Sequence, residues 1–338
     1  MRPENIFLHG PCRSIAAGAA APARKAAGCG RCGRSSATWW KAIWTGSPWP
    51  NWRGAVSRNV DLHTHSSFSD GTCTPTQLVR LAQREGVEAL VLTDHDTVAG
   101  LPEALAEARR VGQAFCGGVE INTREGDSVH ILGYGFDPDC PRLKDLLADL
   151  RTRRVRRAAA ILELLQGLGV SVSMEDVRCG SGETIGRPHI ADALRRRKVV
   201  RSRKDAFRRF LAVGGPAYVP SAGPTVPEAI AGIRGAGGWA VLAHPGLLRK
   251  GHDLGPWVDA GLEGIEAYYP NHSRAQTGRF LEAAERYGLI VTGGSDFHGP
   301  RTEHDTIGGI RLPDEVYARF ESRLDRCPAA ARNGSHRP

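Results

Sequence analysis

The chain of 338 residues has no apolar run of the roughly 18 residues that a transmembrane helix requires. An alanine-rich stretch near the N terminus is too short and too weakly apolar for the hydrophobic region of a signal peptide. Cys29-Gly-Arg-Cys32 has no second CxxC or histidine pair at zinc-finger spacing, and the eight cysteines are scattered. We therefore expect no membrane span, no zinc finger and no obligate protein partner, and we expect reduced thiols in a cytoplasmic protein.

The chain also lacks the P-loop, HExxH and GxSxG motifs. A glycine-rich segment at Gly235 imitates a dinucleotide fingerprint, but it precedes a predicted strand instead of following one. Chemistry based on a phosphate-cradling loop, a helical zinc motif or a serine nucleophile is therefore not expected.

Positive charge is concentrated in two parts of the chain. The whole sequence has a net charge of +9, and residues 1–58 hold nine Lys or Arg and one Glu. Residues 140–212 hold 18 Lys or Arg and eight Asp or Glu, so the rest of the body is acidic. A basic segment beside an acidic one indicates an anionic substrate that meets a carboxylate-rich metal site, although a solvated basic face would give the same pattern.

The organisation of the chain changes at two points. Residues 1–57 show no sustained period and are predicted to be a disordered or loosely ordered extension. Short apolar runs then alternate with helical patterns, which is typical of β/α units. The alternation stops in a stretch that has only helical patterns. The predicted domains are a barrel over 58–136 and 218–325, a helical insertion over 137–217 and a tail over 326–338.

Metal-binding side chains follow the predicted strands. In a strand, residues i and i+2 point to the same side, so His63 and His65 can reach one point. Six histidines and three acidic residues lie at strand ends or edges: His63, His65, Asp70, His95, Glu120, His130, His244, Asp296 and His298. Imidazole and carboxylate without cysteine suit Zn²⁺, Mn²⁺ or Fe²⁺. Nine ligands exceed what one ion takes, so two or three ions are predicted.

These motifs identify a family. The segments HTH, SDGT-x-TP, LTDHD, GVEI, VHILGYG, AHPG and GSDFH resemble, in order, those of the polymerase-and-histidinol-phosphatase (PHP) family of metal-dependent phosphoesterases. The resemblance covers residues 59 to about 310 and is nearest to bacterial members that have a helical insertion and act on nucleotides. It implies an α/β fold, a distorted (β/α)7 barrel with an inserted all-helical subdomain, and a trinuclear cluster.

The resemblance also implies an assignment of ligands to ions. His63, His65, Glu120 and Asp296 would hold the first ion. Glu120, His130 and His244 would hold the second, with Glu120 bridging, and Asp70, His95 and His298 would hold the third. We expect Mn²⁺ first, with Fe²⁺ or Zn²⁺ as alternatives, and hydrolysis by metal-activated hydroxide.

Five further residues are assigned roles near the reaction. Arg187, in Gly186-Arg187-Pro188-His189, is predicted to grip a substrate phosphate, because a guanidinium can bind phosphate through two hydrogen bonds. His189 would contact the phosphate or protonate the leaving oxygen, although capping of the following helix is the alternative. Asp94 is predicted to act with Glu120 and His189 in catalysis. His272 and Ser273 are weaker candidates for substrate contact.

Four functions remain open from the sequence. The first is a phosphoesterase acting on phosphorylated small molecules such as 3′,5′-nucleoside bisphosphates or 5′-AMP, or on the 5′ ends of short RNA. The second is a histidinol-phosphate-like small-molecule phosphatase, for which a less basic rim is expected. The third is a non-catalytic barrel that binds nucleic acid through residues 140–212. The fourth is an amidohydrolase, whose usual Lys carboxylate bridge would be replaced by Glu120.

Overall fold

A computed structural model describes residues 57–125, 129–178, 182–248, 253–300 and 302–327. The extension predicted at 1–57 therefore lies outside the described residues except for Ser57, and so does most of the predicted tail. One eight-stranded sheet forms the body of the protein. Its strands are β1 (Ser57–Thr64), β2 (Ala89–Leu92), β3 (Ala114–Asn122), β4 (His130–Tyr134), β5 (Trp239–Leu242), β6 (Leu262–Tyr268), β7 (Ile290–Gly293) and β8 (Arg311–Pro313).

The sheet curls into a nearly closed barrel. Its strand order is β7-β6-β5-β4-β3-β2-β1-β8, and the chain just after β7 returns to β1 through a parallel bridge between Phe297 and Thr64. The pairs β1–β2, β2–β3, β5–β6 and β6–β7 are parallel. β4 runs antiparallel to both neighbours. All seven predicted strands are present, but the prediction of seven strands in total was wrong, because β8 adds an antiparallel pair to the start of β1.

Helices cover the outside of the barrel and fill the connection between β4 and β5. They are α1 (Pro75–Arg84), α2 (Leu101–Val111), α3 (Pro141–Gly167), α4 (Met174–Arg178), α5 (Arg187–Arg196), α6 (Arg203–Ala206), a π-helix (Phe207–Leu211), α7 (Val226–Gly235), a 3₁₀-helix (Pro245–Leu247), α8 (Gly255–Asp259), α9 (Arg274–Tyr287) and α10 (Asp314–Asp325). Capping boxes at Thr74 and Thr225 begin α1 and α7. Among the described helices, none has the length and apolar character needed to cross a bilayer.

Three apolar clusters hold these layers together. Two lie in and around the barrel and include Leu62, Leu90 and Ile265, which are fully buried. The third is built by the helices between β4 and β5, around Leu165, Ile190 and other buried side chains. These helices therefore have an apolar core of their own, and burial of that core stabilises them beyond their contacts with the barrel.

Candidate metal centre

The first group of metal-binding side chains lies where β1 ends. His63 and His65 point to the same side as predicted, and their Nε2 atoms are 3.1 Å apart. Glu120 Oε2 lies 3.4 Å from His63 Nε2 and 3.2 Å from His65 Nε2. Asp296 Oδ1 lies at the same two distances from these nitrogens. Four fully or nearly fully buried ligand atoms therefore surround one point.

The second group shares Glu120 with the first. His95 Nδ1 lies 2.9 Å from Glu120 Oε2, and His130 Nδ1 lies 2.8 Å from Glu120 Oε1. These three ligand atoms lie within 4.8 Å of one another. His244 Nε2 approaches the same carboxylate, 3.1 Å from Oε1. The two oxygens of Glu120 thus face different histidines, as a bridging ligand requires.

The third group is centred on Asp70, which lies on the loop after β1. Asp70 Oδ1 is 3.2 Å from His298 Nε2, and Asp70 Oδ2 is 3.8 Å from His95 Nε2. His65 belongs to this group as well as to the first. All nine predicted ligands therefore meet at the strand ends, but His65 and His95 each lie between two groups, which a division of the ligands by motif did not predict.

The donor set fits divalent ions. Three of its buried atoms, Asp70 Oδ1, His95 Nδ1 and Glu120 Oε2, make no well-formed hydrogen bond among the described residues, although each lies within 3.2 Å of another member of the set. Unsatisfied polar atoms in a protein interior are rare and costly. Burial raises the pKa of Glu120, but His95, His130 and His63 outweigh it and hold that pKa well below its usual range. The carboxylate is therefore ionised, and clusters of this kind suit a site for more than one metal ion.

The backbone is strained at the same place. Among the described non-glycine residues, only four have positive φ angles, and three of them lie in the predicted motifs: Asp96 at 52°, His244 at 26° and Asp296 at 57°. Such conformations cost free energy and cluster at functional sites. The side chains of two of these residues, His244 and Asp296, lie in the cluster.

Two carboxylates that support the ligands were not found from the sequence. Glu266 on β6 is fully buried, and its oxygens lie 3.1 and 3.2 Å from His63 Nδ1. It also accepts a 2.8 Å hydrogen bond from the backbone N–H of His244. Asp61 accepts hydrogen bonds from Ser295, the residue before Asp296. The signal that could have identified Glu266 was an acidic residue between apolar neighbours, Ile265 and Ala267, in a predicted strand.

Asp94 holds the loop that carries Asp70. Its carboxylate accepts hydrogen bonds from the Ser66 backbone N–H at 2.7 Å and from the Ser66 and Ser69 hydroxyls at 2.6 Å. It is not a member of any of the three groups. These contacts position the loop that carries Asp70, and the catalytic role of Asp94 stays a prediction.

His189 caps α5 and ties that helix to the same loop. Its Nδ1 accepts a hydrogen bond from the Gly186 N–H at 2.9 Å, so its Nε2 carries the proton and donates to the Ser69 carbonyl at 2.9 Å. Burial lowers the pKa of His189, which keeps the ring neutral. Both ring nitrogens are engaged, so the structure favours the capping alternative over direct contact with a substrate.

Arg187 does not line the cavity over the metal groups. Its Nη1 donates to the Leu211 carbonyl at 3.3 Å, and its guanidinium lies 5.4 Å from the centre of the Phe207 ring. It lines a neighbouring cavity together with Arg153, Arg154 and Arg157. The grip of Arg187 on a substrate phosphate stays a prediction, and its contacts in this structure are with Leu211 and Phe207.

His272 and Ser273 also have structural partners. His272 Nε2 accepts from the Gly246 N–H at 3.0 Å, and its Nδ1 donates to the Ala267 carbonyl at 2.9 Å. Ser273 is the N-cap of α9. The first residue positions the loop that follows His244, and the second begins a helix. Neither lines the cavity over the metal groups.

That cavity has a volume of about 260 Å³. Ligand residues of all three groups form its floor, and Arg203, Lys204 and Phe207 line it from the side of the helices between β4 and β5. His304, which fits no motif, lies at its edge with Nε2 3.8 Å from Asp296 Oδ2. No short-range signal in the sequence pointed to these four residues.

Comparisons with known proteins agree with this geometry. A family profile described as the PHP domain matches residues 61–168. The chain is 38% identical to the 3′,5′-nucleoside bisphosphate phosphatase of Chromobacterium violaceum over 79% of this chain and 98% of that protein. It is 34% identical to a 5′-3′ exoribonuclease of Haemophilus influenzae over 79% of this chain and 99% of that protein. A solved structure from Bifidobacterium adolescentis superimposes with a TM-score of 0.73 at 34% identity, over 79% of this chain and 96% of that one.

Proposed function

The chain belongs to the PHP family of metal-dependent phosphoesterases, and from that premise we propose that it hydrolyses phosphate esters of nucleotides. Its substrates would be 3′,5′-nucleoside bisphosphates, 5′-mononucleotides such as 5′-AMP, or the 5′ ends of short RNA. The observation that carries this proposal is one cavity that has a carboxylate-and-imidazole floor and two cationic side chains, Arg203 and Lys204, in its wall. An ester with more than one negative charge suits that pair of surfaces.

We propose that the nine clustered side chains hold two or three divalent ions, with Mn²⁺ expected first and Fe²⁺ or Zn²⁺ as alternatives. When bound, such ions supply Lewis acidity and a nucleophilic water near neutral pH. Side chains of this protein orient the atoms that would bind the ions. Glu120 faces His95 with one oxygen and His130 with the other. Glu266 fixes the ring of His63 through its Nδ1, so that Nε2 faces the first group.

The helices between β4 and β5 are proposed to form an inserted subdomain over 137–217 that covers the metal groups. Three contacts support this arrangement. His189 Nε2 donates to the Ser69 carbonyl, Glu183 N–H donates to the Phe68 carbonyl, and Arg154 Nε lies 2.5 Å from Asp96 Oδ2. Direct roles of Arg187 and His189 in substrate binding stay predictions, as do a cytoplasmic location and the absence of an obligate protein partner.

The other functions considered from the sequence receive less support. Buried ligand atoms of the floor that make no hydrogen bond, such as Glu120 Oε2, would cost stability in a barrel that only binds nucleic acid and takes no metal. The basic wall is not what a histidinol-phosphate-like substrate, which carries its own ammonium group, would select.

Phosphate release from a panel of substrates tests the proposal. The panel contains adenosine 3′,5′-bisphosphate, 5′-AMP, a 5′-phosphorylated RNA oligomer and histidinol phosphate, each assayed with added Mn²⁺ and again after chelation. We expect metal-dependent turnover of at least one nucleotide substrate, well above that of histidinol phosphate. Turnover of histidinol phosphate alone, or no turnover of any member with metal bound, would overturn the proposal.

A further inference from the structure

A buried tyrosine at the end of β6 contacts a ligand of the first metal group. Tyr269 directly follows the strand and is only 4% exposed. Its hydroxyl donates a 3.0 Å hydrogen bond to Oδ2 of Asp296. A phenol keeps its proton at neutral pH, so this donor is always present there. Tyr269 belongs to none of the three metal groups and does not line the cavity over them.

The two carboxylate oxygens of Asp296 have different neighbours. Oδ1 lies 3.4 Å from His63 Nε2 and 3.2 Å from His65 Nε2, so it faces the point that the first group surrounds. Oδ2 accepts the hydrogen bond from Tyr269, while His304 Nε2 lies farther away, at 3.8 Å. The hydroxyl of Tyr269 therefore opposes rotation of the carboxylate and leaves Oδ1 as the oxygen that can bind an ion.

The ring of the same tyrosine packs beside a ligand of the second group. The centres of the Tyr269 and His244 rings are 5.6 Å apart, and the His272 ring lies 5.0 Å from Tyr269 on another side. His244 and Asp296 are two of the residues with strained positive φ angles, at 26° and 57°. Tyr269 thus contacts one strained ligand with its hydroxyl and another with its ring.

Contacts of this kind affect metal affinity. A carboxylate that binds an ion is usually hydrogen-bonded to a partner outside the ligand set, and replacing such a partner typically costs about 10–100-fold in affinity or activity. Without that partner, the side chain must lose more rotational freedom when the ion binds. The hydrogen bond from Tyr269 places Oδ1 of Asp296 before any ion arrives, so its loss should weaken binding at the first group.

We propose that Tyr269 is a positioning residue of the metal centre, which holds Asp296 so that Oδ1 alone faces the first group and supports His244 through its ring. This inference rests on the proposed function, because it requires that the clustered side chains bind divalent ions. Tyr269 acts through these two ligands and does not reach the cavity. It should therefore determine how tightly metal binds and leave substrate binding unchanged.

The test is calorimetric titration of metal-free protein with Mn²⁺ in Tyr269→Phe, with Tyr268→Phe as the matched control. Phenylalanine keeps the ring beside His244 and removes only the hydroxyl. We expect about tenfold weaker binding in one class of sites, with the number of ions bound at saturation unchanged. Tyr268 precedes Tyr269, so its side chain points to the other side of the strand end, where it packs against the barrel core. The control should bind Mn²⁺ as the wild type does.

Phosphate release from the best nucleotide substrate of the wild type gives a second readout. In Tyr269→Phe, excess Mn²⁺ should restore most of kcat, and KM at saturating Mn²⁺ should stay within about twofold of the wild-type value. Tyr269→Leu removes the ring as well as the hydroxyl. It should therefore bind Mn²⁺ more weakly than Tyr269→Phe does.

The outcomes separate this inference from the proposed function. Equal metal affinity in Tyr269→Phe and Tyr268→Phe would overturn it, because the ring alone would then account for the presence of Tyr269. A raised KM that excess Mn²⁺ does not correct would also overturn it, since Tyr269 would then act on the substrate. Either result would leave the metal centre standing. A wild type that binds no divalent ion would instead overturn the proposed function, and this inference with it.

Discussion

Replacing Glu266 tests whether the clustered side chains bind metal, because Glu266 supports His63 without being one of the proposed ligands. Glu266→Gln keeps the size of the side chain and removes its charge. In the wild type both carboxylate oxygens lie close to His63 Nδ1, at 3.1 and 3.2 Å, and one also accepts from the His244 N–H at 2.8 Å. A glutamine can keep one of these oxygens as an acceptor, so the fold should survive while the negative charge behind His63 is lost.

The size of the effect follows from that geometry. Changes to a carboxylate that orients a metal-binding histidine cost about 10–100-fold in metal affinity or activity, or about 1.4–2.7 kcal/mol. Because glutamine retains an acceptor, we expect the lower end, about tenfold weaker binding of Mn²⁺ at the first group. Glu266→Ala should approach the upper end, since it also leaves the His244 N–H without its partner.

Protons compete with the metal for His63, so pH provides a second readout. Burial lowers the pKa of His63, but Glu266, Glu120 and Asp296 outweigh it and raise the pKa of the metal-free ring well above its usual value. Removing the charge of Glu266 weakens the hold on the proton as well as on the metal. The metal affinity of the wild type should therefore rise more steeply with pH than that of Glu266→Gln.

The assay is calorimetric titration of metal-free protein with Mn²⁺ at two pH values, followed by phosphate release at low and saturating Mn²⁺. Glu263→Gln is the matched control, because Glu263 lies on the same strand, is 32% exposed and pairs with Arg323 at 2.8 Å, away from the metal groups. Excess Mn²⁺ should restore much of the lost rate in Glu266→Gln. Metal affinity and pH dependence equal to those of Glu263→Gln would refute the role assigned to Glu266.

Three other changes have expected outcomes. Glu120→Gln should abolish turnover and reduce bound metal, measured by elemental analysis, because both oxygens face histidines of different groups; normal metal content with near-normal turnover would contradict the shared-ligand assignment. Arg154→Leu should lower the free energy of unfolding by about 3 kcal/mol in a denaturant titration, because it leaves the nearly buried carboxylate of Asp96 without its ion pair. The control is Arg153→Leu, which should cost much less because the ion pair of Arg153 with Asp149 on the same helix is exposed. His189 has a lowered pKa, so the stability that it contributes is present above its unfolded value of about 6.5 and is lost as pH falls; unfolding at pH 7.5 and 5.5 should therefore differ less in His189→Gln than in the wild type.

The ligands of the metal groups could be predicted because their positions depend on local rules. His63 and His65 share one side of β1 by the period of a strand, and the other ligands follow strands whose ends meet at one mouth of the barrel. His130 reaches the same mouth of the barrel although β4 is antiparallel, because it lies at the beginning of that strand and not at its end. Strand β8 was missed because three residues have no period, and it exists only through its pairing with β1.

Supporting and substrate-facing residues could not be predicted in the same way. Glu266 supports the site by contacting Nδ1 of His63, a residue 203 positions away in the chain. Arg187 was correctly placed at the start of a helix, but the direction of its side chain depends on Leu211 and Phe207. His304 reaches the cavity through a loop that the GSDFH motif does not specify. Each of these contacts is a product of packing between distant segments, for which a single sequence has no periodic signal.

The helices between β4 and β5 do more than cover the site. His189 and Glu183 donate hydrogen bonds to the loop that carries Asp70, and Arg154 pairs with Asp96 next to His95. Arg154 also hydrogen bonds to Asn122, whose amide contacts His130 Nε2 at 2.7 Å. Loops that hold ligands for two of the three groups are thus fixed in part by the helices that form the wall of the cavity. Substrate binding at that wall and metal binding at the floor therefore share one set of contacts, so a substrate that orders the helices should also tighten the metal site.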